Sequence, residues 1–136
     1  MRAQISPDYK NCTVEKNVIF KGAISNLDLR MELPKYLAFV NSSTWSEFAP
    51  MTIIEALYCG LPIVFPHGLS LGTLIKNYKA GTDYSLDNSQ SLEISLINIS
   101  NLELREDYNR AANELFKKEF SAIGWYENLL GIMASI

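Results

Sequence analysis

Short apolar runs alternate with segments of helical spacing along the first half of the chain. The apolar runs are residues 18–20, 38–40 and 63–65. The segments of helical spacing are residues 27–37, 50–58 and 71–77. An alternation of short buried strands with helices is typical of a parallel sheet covered by helices on both faces. The sequence therefore predicts an α/β fold with a doubly wound parallel sheet.

Proline and glycine mark the ends of the predicted helices. Pro34 must begin a new turn or kink the first helix, because its ring clashes with the preceding turn of a regular helix. Pro50 suits the first position of the second helix, where a missing N–H has no cost. Gly60 can adopt the left-handed conformation after that helix, and Pro62 prevents its continuation.

The chain beyond residue 84 is predicted to be mainly helical. Two apolar stripes at helical spacing support this: Leu92, Leu96, Ile99 and Leu102, then Ala111, Leu115 and Phe116. Residues 92, 94 and 96 also alternate with a period of two, so a strand stays open for the first stripe. A last helix over residues 121–133 carries Trp125 and Tyr126, whose rings either pack against protein or stack on a ligand base.

Composition limits the classes of protein that the chain can belong to. Its 136 residues suit one domain, and the formal net charge of −3 gives no general attraction for nucleic acids. Two cysteines indicate no disulfide framework, and the single His67 gives no zinc-ligand spacing with them. No apolar run reaches the roughly 18 residues of a membrane span, and no signal peptide is evident. We expect a cytoplasmic protein without a metal or other cofactor.

Two glutamates frame the start of the second predicted helix. Glu47 precedes the helix, and Glu55 lies within it. The first helical amides, those of Met51, Thr52 and Ile53, have no acceptor inside the helix and favour a phosphate or diphosphate. The carboxylate of Glu55 can accept from both hydroxyls of a ribose diol. Alternatively, Glu47 only complements the helix dipole and Glu55 is a solvated surface residue.

Several segments follow one another in an order that narrows the function. They are residues 17–22 (Asn-Val-Ile-Phe-Lys-Gly), 41–43 (Asn-Ser-Ser), 47–55 (Glu-Phe-Ala-Pro-Met-Thr-Ile-Ile-Glu) and 56–64 (Ala-Leu-Tyr-Cys-Gly-Leu-Pro-Ile-Val). Together they resemble the C-terminal, donor-binding domain of the retaining GT-B glycosyltransferases of group 1. The resemblance runs from about Asn17 to Gly81 and more loosely to the C-terminus. It implies a lead-in segment over residues 1–16 and a nucleotide-sugar-binding domain over residues 17–136.

The resemblance implies a role for each position that matches the family's motif. Glu55 would bind the donor ribose, and Glu47, the candidate catalytic residue, would lie beside the transferred sugar and its phosphate. The loop after Gly22, with Ala23 and Ile24, would line the base. The diphosphate and the sugar hydroxyls would be held by the backbone of Phe48, Ala49, Pro50, Met51 and Thr52. The implied reaction moves a glycosyl group from a nucleoside diphosphate sugar to an acceptor with retention of configuration.

The sequence departs from the family pattern in several places. The family often has Glu-x-Phe-Gly before the helix, whereas Phe48 is followed here by Ala49 and Pro50. Family members carry an Arg and a Lys near the first strand of the domain that neutralise the diphosphate, and neither Arg2 nor Lys10 matches them. The first strand–helix unit of the domain and the acceptor-binding N-terminal domain also have no counterpart, so the isolated chain is expected to bind a donor without transferring sugar.

These departures keep a second function open. The chain could be a non-catalytic nucleotide-sugar-binding or partner subunit that needs a separate N-terminal half, or it could form a homo-oligomer. His67 follows the third apolar run, on the side where open parallel sheets bind ligands. It is either a ligand contact or a structural residue. Cys59 is predicted to be a small buried apolar side chain rather than a nucleophile.

Overall fold

The computed structural model describes residues 18–45 and 47–135, and these form a three-stranded sheet with helices around it. The strands are β1 (Phe39–Val40), β2 (Ile63–Pro66) and β3 (Gly81–Tyr84). The α-helices are α1 (Asn26–Glu32), α2 (Met51–Tyr58), α3 (Gly72–Asn77), α4 (Ser89–Ser100), α5 (Leu102–Leu115) and α6 (Ala122–Ala134). A 3₁₀ turn (Leu33–Lys35) follows α1, and a π-helical turn (Phe116–Phe120) lies between α5 and α6. The predicted lead-in segment, residues 1–16, lies outside the described residues.

The sheet is parallel, with the strands in the order β1-β2-β3, which confirms the predicted fold class. Phe39 pairs with Ile63, and Ile63 pairs in turn with Gly81. The central strand β2 is buried along its whole length. Its side chains alternate between the two faces, so Ile63 and Phe65 enter the larger core while Val64 enters a smaller one.

Helices cover both faces of this sheet. On one face α2, α3 and α5 contribute Ile53, Leu57, Ile75 and Leu115 to the larger core, and each of these is at most 1% exposed. On the other face Ile99 of α4 packs in the smaller core. Full burial of such a side chain stabilises a fold by about 1.5–3 kcal/mol, whereas an exposed ion pair contributes about 1 kcal/mol or less. Apolar contacts therefore hold the helices to the sheet.

The predicted helix boundaries lie close to the observed ones. As predicted, a new turn, the 3₁₀ turn that contains Pro34, interrupts the first helix. Pro50 directly precedes α2, whereas the sequence predicted it at the first helical position. Gly60 ends α2 with a φ of +74°, in the left-handed region that favours glycine. A Cβ at this position would lie 2.7 Å from Nδ2 of Asn113. Any larger residue would therefore strain the backbone and displace an α5 side chain.

Two strand predictions need correction. The predicted strand at residues 18–20 is wrong, because Val18, Ile19 and Phe20 form no strand and are 51%, 80% and 57% exposed. Within the described residues the sheet ends at β1 and does not extend to this segment. An apolar run becomes a buried strand only where it can pair with a neighbouring strand and pack under a covering helix. Conversely, β3 was not predicted as a strand, since Thr82 and Asp83 are polar and this edge strand is only partly buried.

The chain after β3 is helical, as predicted. Residues 92–96 lie within α4, so the alternative of a strand there is wrong. The last helix, α6, packs against the π-helical turn through Gly124, where a Cβ would lie 2.2 Å from the carbonyl oxygen of Lys118. Trp125 and Tyr126 are 62% and 56% exposed. Their rings therefore do not pack into the described core.

Candidate functional site

The carboxyl ends of all three strands lie at one edge of the sheet, because the strands are parallel. The N–H of Asn41, just after β1, donates to the carbonyl of Val64 at 2.8 Å. The hydroxyl of Tyr84, at the end of β3, donates to the carbonyl of Asn41 at 3.2 Å. Helix α2 runs back from this edge to the start of β2. Open parallel sheets bind ligands outside such an edge, and the sequence predicts the donor site here.

Asn41 brings a buried polar side chain to this carboxyl edge. The residue is 8% exposed, and its Oδ1 accepts from the N–H of Ser43 at 3.4 Å. Its Nδ2 is buried with no hydrogen-bond partner among the described residues. An unsatisfied buried donor costs about 1–3 kcal/mol, and a ligand or an ordered water can remove that cost.

The start of α2 has fewer free amides than the sequence predicts. Pro50 is buried, and its carbonyl accepts from the N–H groups of Ile53 at 3.0 Å and Ile54 at 3.3 Å. The prediction that the Ile53 amide is free for a phosphate is therefore wrong. Met51 and Thr52 are exposed, and their amides have no acceptor within the part of the chain that the structure describes. These two amides are available to donate to an anion.

Glu55 lies half-buried in a cleft of about 320 Å³ on the outer face of α2, which we name the Glu55 cleft. Its lining residues come from α1, α2 and the π-helical turn, namely Arg30, Met51, Ile54, Glu55, Tyr58 and Phe116. The rings of Tyr58 and Phe116 meet edge to face, with centroids 5.1 Å apart and an interplanar angle of 68°. The guanidinium carbon of Arg30 lies 5.9 Å from the Tyr58 ring centroid. The cleft thus combines a carboxylate, a guanidinium and aromatic surface.

The structure brings some of the predicted site residues together and leaves others apart. Glu55 and Met51 share the Glu55 cleft because they lie one turn apart on α2. Glu47 is exposed in the loop before α2, where its N–H donates to the carbonyl of Trp45 at 3.0 Å, and it does not line this cleft. Phe48 is 87% exposed in the same loop.

The remaining predicted site residues lie in the segments that precede α2 and α1. Ala49 is half-buried just before α2. Gly22 and Ile24 lie in the exposed segment before α1, also outside the Glu55 cleft, and Gly22 has a φ of +70°. Cys59 packs against the larger core, and burial raises the pKa of its thiol, which disfavours a nucleophilic thiolate.

Besides Ile54, three residues that line the Glu55 cleft were not predicted as site residues. Arg30 lies in a helix that was predicted only from its apolar spacing, and Phe116 lies far along the chain from Glu55. Tyr58 had a detectable signal, since it follows Glu55 by one turn of the same predicted helix. The other two come together only through tertiary packing.

A second group of polar side chains lies at the ends of β2 and β3. Nδ1 of His67 lies 2.8 Å from Oδ2 of Asp83, and Nζ of Lys76 lies 2.5 Å from the same oxygen. Burial by itself would raise the pKa of Asp83, but the hydrogen bonds from Lys76 and His67 leave it below its usual value. Asp83 is therefore a carboxylate that holds one ring nitrogen of His67.

The described residues contain no group of three or more His, Cys, Asp or Glu side chains that could hold a metal ion. Within the same residues, no helix combines the length and the apolar character that a membrane crossing requires.

A parallel α/β sheet with a glutamate-bearing helix after its first described strand fits the Rossmann-like half of a GT-B enzyme. Residues 2–115 match the family model described as glycosyl transferases group 1. The chain belongs to this glycosyl transferases group 1 family. Searches of curated proteins and of solved structures returned no match.

Proposed function

We propose that the chain is the donor-binding part of a glycosyltransferase that moves a sugar from a nucleoside diphosphate sugar to an acceptor. The observation that supports this proposal most strongly is the Glu55 cleft, where a half-buried carboxylate lies beside Arg30 and Tyr58. The carboxylate can bind the hydroxyls of a nucleotide, the guanidinium can bind its phosphates, and the tyrosine ring can pack against its base. The family match supports the class of reaction.

Glu55 supplies the ribose contact in this proposal. Its two oxygens can accept from two neighbouring hydroxyls, and hydrogen bonds to a charged group contribute about 1.5–3 kcal/mol. Partial burial reduces competition from water for these bonds. Tyr58 and Phe116 offer the base an apolar aromatic surface.

Arg30 supplies a permanent positive charge to the same cleft. In the family that the sequence resembles, an Arg and a Lys neutralise the diphosphate, and Arg30 is proposed to contribute to the same task here. A guanidinium can pair with two phosphate oxygens at once, which suits it to this role. The amides of Met51 and Thr52 add donors at the positive end of the α2 dipole.

The proposed reaction proceeds with retention of configuration, as in the family that the sequence resembles. The bond between the sugar C1 and the diphosphate breaks, the acceptor oxygen forms a bond on the same face of C1, and the acceptor's hydroxyl proton passes to the leaving diphosphate. Donors around the leaving diphosphate lower the barrier because they act where negative charge develops. Glu47, in the loop before α2, is the residue proposed to lie beside the transferred sugar.

The acceptor-binding site is proposed to lie on a partner, either a separate N-terminal half or a second copy of this chain. Helix α6 supports such a partner, because its apolar side chains are exposed. Ile123 is 73% exposed, Ile132 is 61% exposed and Met133 is 63% exposed. Apolar surface that clusters in this way is typical of an interface.

A second candidate function is a non-catalytic subunit that binds the donor without transferring sugar. The observation that favours it is the exposed position of Glu47 outside the Glu55 cleft. The two functions differ in one measurable property, which is sugar transfer. Only the enzyme transfers sugar when the partner that binds the acceptor is present.

Backbone amide NMR of the full chain tests the donor site. On addition of nucleoside diphosphates with each common base, we expect the largest shift changes at Met51, Thr52 and Glu55. Leu104 and Tyr108 serve as internal controls, because they line a separate cleft near Gly81. Shift changes confined to that control cleft, or none with any base, would remove the proposed site.

A further inference from the structure

His67 lies at the carboxyl edge of the sheet with one ring nitrogen engaged and the rest of the ring in solvent. Its Nδ1 lies 2.8 Å from Oδ2 of Asp83, and its side chain is 78% exposed. The hydrogen bond to Asp83 orients the ring, since a carboxylate partner selects the tautomer with the proton on Nδ1. Nε2 is therefore the ring nitrogen that remains available to a ligand.

A small cleft of about 80 Å³ adjoins this ring. It lies between the loops that follow β1, β2 and β3, and its lining includes Ser43, Thr44, Trp45, His67 and Gly68. Its hydroxyl groups can donate hydrogen bonds, and His67 is the titratable side chain among its lining residues. The N–H of Ser43 donates to Asn41, whose buried Nδ2 lacks a partner among the described residues.

The two charges held against the His67 ring cancel each other. Asp83 of β3 carries one negative charge, and Lys76 of α3 neutralises it through a contact of 2.5 Å to the same oxygen. Asp87 follows Leu86 of the cleft in the loop after β3, and it is exposed. The pair of Asp83 and Lys76 thus holds the imidazole ring without adding net charge to it.

We propose that His67 and the Ser43–Trp45 loop form an oxyanion subsite, in which Nε2 of His67 donates to a phosphate group. This proposal rests on the proposed function in one respect, which is that the phosphate belongs to the nucleotide-sugar donor. Since Nδ1–H is already directed at Asp83, neutral His67 presents a lone pair from Nε2. Donation from Nε2 therefore needs the protonated ring, and anion binding is coupled to the uptake of one proton.

The test uses inorganic sulfate as the probe, because this tetrahedral dianion keeps its charge between about pH 6 and about pH 8. His67 is the chain's one histidine, so a tag-free protein gives unambiguous ring ¹⁵N signals. At constant ionic strength, added sulfate should shift these signals saturably toward the doubly protonated ring. We expect binding to tighten as the pH falls, by up to about tenfold per pH unit, which is the limit for the uptake of one proton.

Two variants make the result specific. His67→Gln should lose the pH dependence, as followed by the amide signals of Ser43 and Trp45. Arg110→Gln is the matched control, because it removes one exposed positive charge from α5 and should leave sulfate binding unchanged. Ring signals that do not respond to sulfate, or an equal pH dependence in His67→Gln, would overturn the subsite.

The outcome is independent of the donor site. If sulfate does not bind His67 while nucleoside diphosphates still shift Glu55, the subsite is wrong and the proposed function stands. If sulfate binds His67 as expected and no nucleoside diphosphate binds the Glu55 cleft, the subsite stands and the proposed function is wrong.

Discussion

Tyr78 caps the C-terminal end of α3 and reaches the π-helical turn. Its hydroxyl donates to Oε1 of Glu119 at 2.6 Å. This hydrogen bond is the main reason that the pKa of Tyr78 is raised to about 12, with burial and the charges of Glu119 and Glu114 adding to it. The same hydrogen bond fixes the turn from which Phe116 reaches the Glu55 cleft.

Replacing Tyr78 by Phe should destabilise the protein by about 1 kcal/mol at neutral pH, through loss of one hydrogen bond. A folded pKa raised above the usual value of 10.0 means that this contribution is complete below pH 10.0 and is lost as the pH rises toward about 12. Urea unfolding of the wild type and of Tyr78→Phe, at neutral and at alkaline pH, measures this difference in the free energy of unfolding. Tyr126→Phe, at an exposed position of α6, is the control and should change stability by less than about 0.5 kcal/mol. A Tyr78→Phe effect that persists unchanged above the pKa of Tyr78 would contradict this account.

Individual site residues differ in how far the sequence could predict them. Glu55 could be predicted as a site residue because Pro50 marks the start of its helix, so its position follows from the local sequence. Arg30 and Phe116 carry no such pattern, since they meet Glu55 only when α1 and the π-helical turn pack on α2. The acceptor role of the Pro50 carbonyl, which removes the Ile53 amide from the site, also depends on the exact backbone path of the loop.

Elements were predicted best where periodicity and boundary residues agree. Helix α2 has an apolar face, a proline before it and Gly60 after it, and it forms as predicted. Residues 18–20 have only apolar character, and strand formation also needs a pairing partner, which no local pattern contains. Strand β3 is the opposite case, because backbone pairing with β2 makes a strand of a polar segment.

Helix α6 gives a prediction at the scale of an element. Because Gly124 is its one buried residue and its apolar side chains face solvent, we expect the chain to associate through α6. Light scattering over a concentration series should show a mass above that of one chain. A chain that ends before Ser121, and the variant Leu130→Glu, should both stay folded and remain monomeric.

The matched control for this experiment is Glu127→Gln, a polar position on the same helix, which should associate like the wild type. A full-length chain that stays monomeric at high concentration, together with a truncated chain that unfolds, would show that α6 stabilises its own core. The partner proposal would then be withdrawn.

At the scale of the whole molecule, the fold class followed from the alternation of apolar runs and helical segments. That alternation predicts a parallel sheet because each short strand needs a helix to return the chain to the same edge. The placement of Glu47, Gly22 and Ile24 outside the Glu55 cleft did not follow from it, because loop paths depend on packing between distant segments. Their predicted roles stay predictions.

The central claim, that this chain binds a nucleoside diphosphate through Glu55, is tested most directly by calorimetric titration. Wild type, Glu55→Ala and Glu93→Ala are each titrated with nucleoside diphosphates of the common bases. Glu93→Ala is the control, because it removes one exposed carboxylate from α4 on the other face of the sheet. Loss of charge-assisted hydrogen bonds predicts binding about tenfold to a hundredfold weaker for Glu55→Ala, with Glu93→Ala unchanged. Equal affinity of Glu55→Ala and the wild type would contradict the claim.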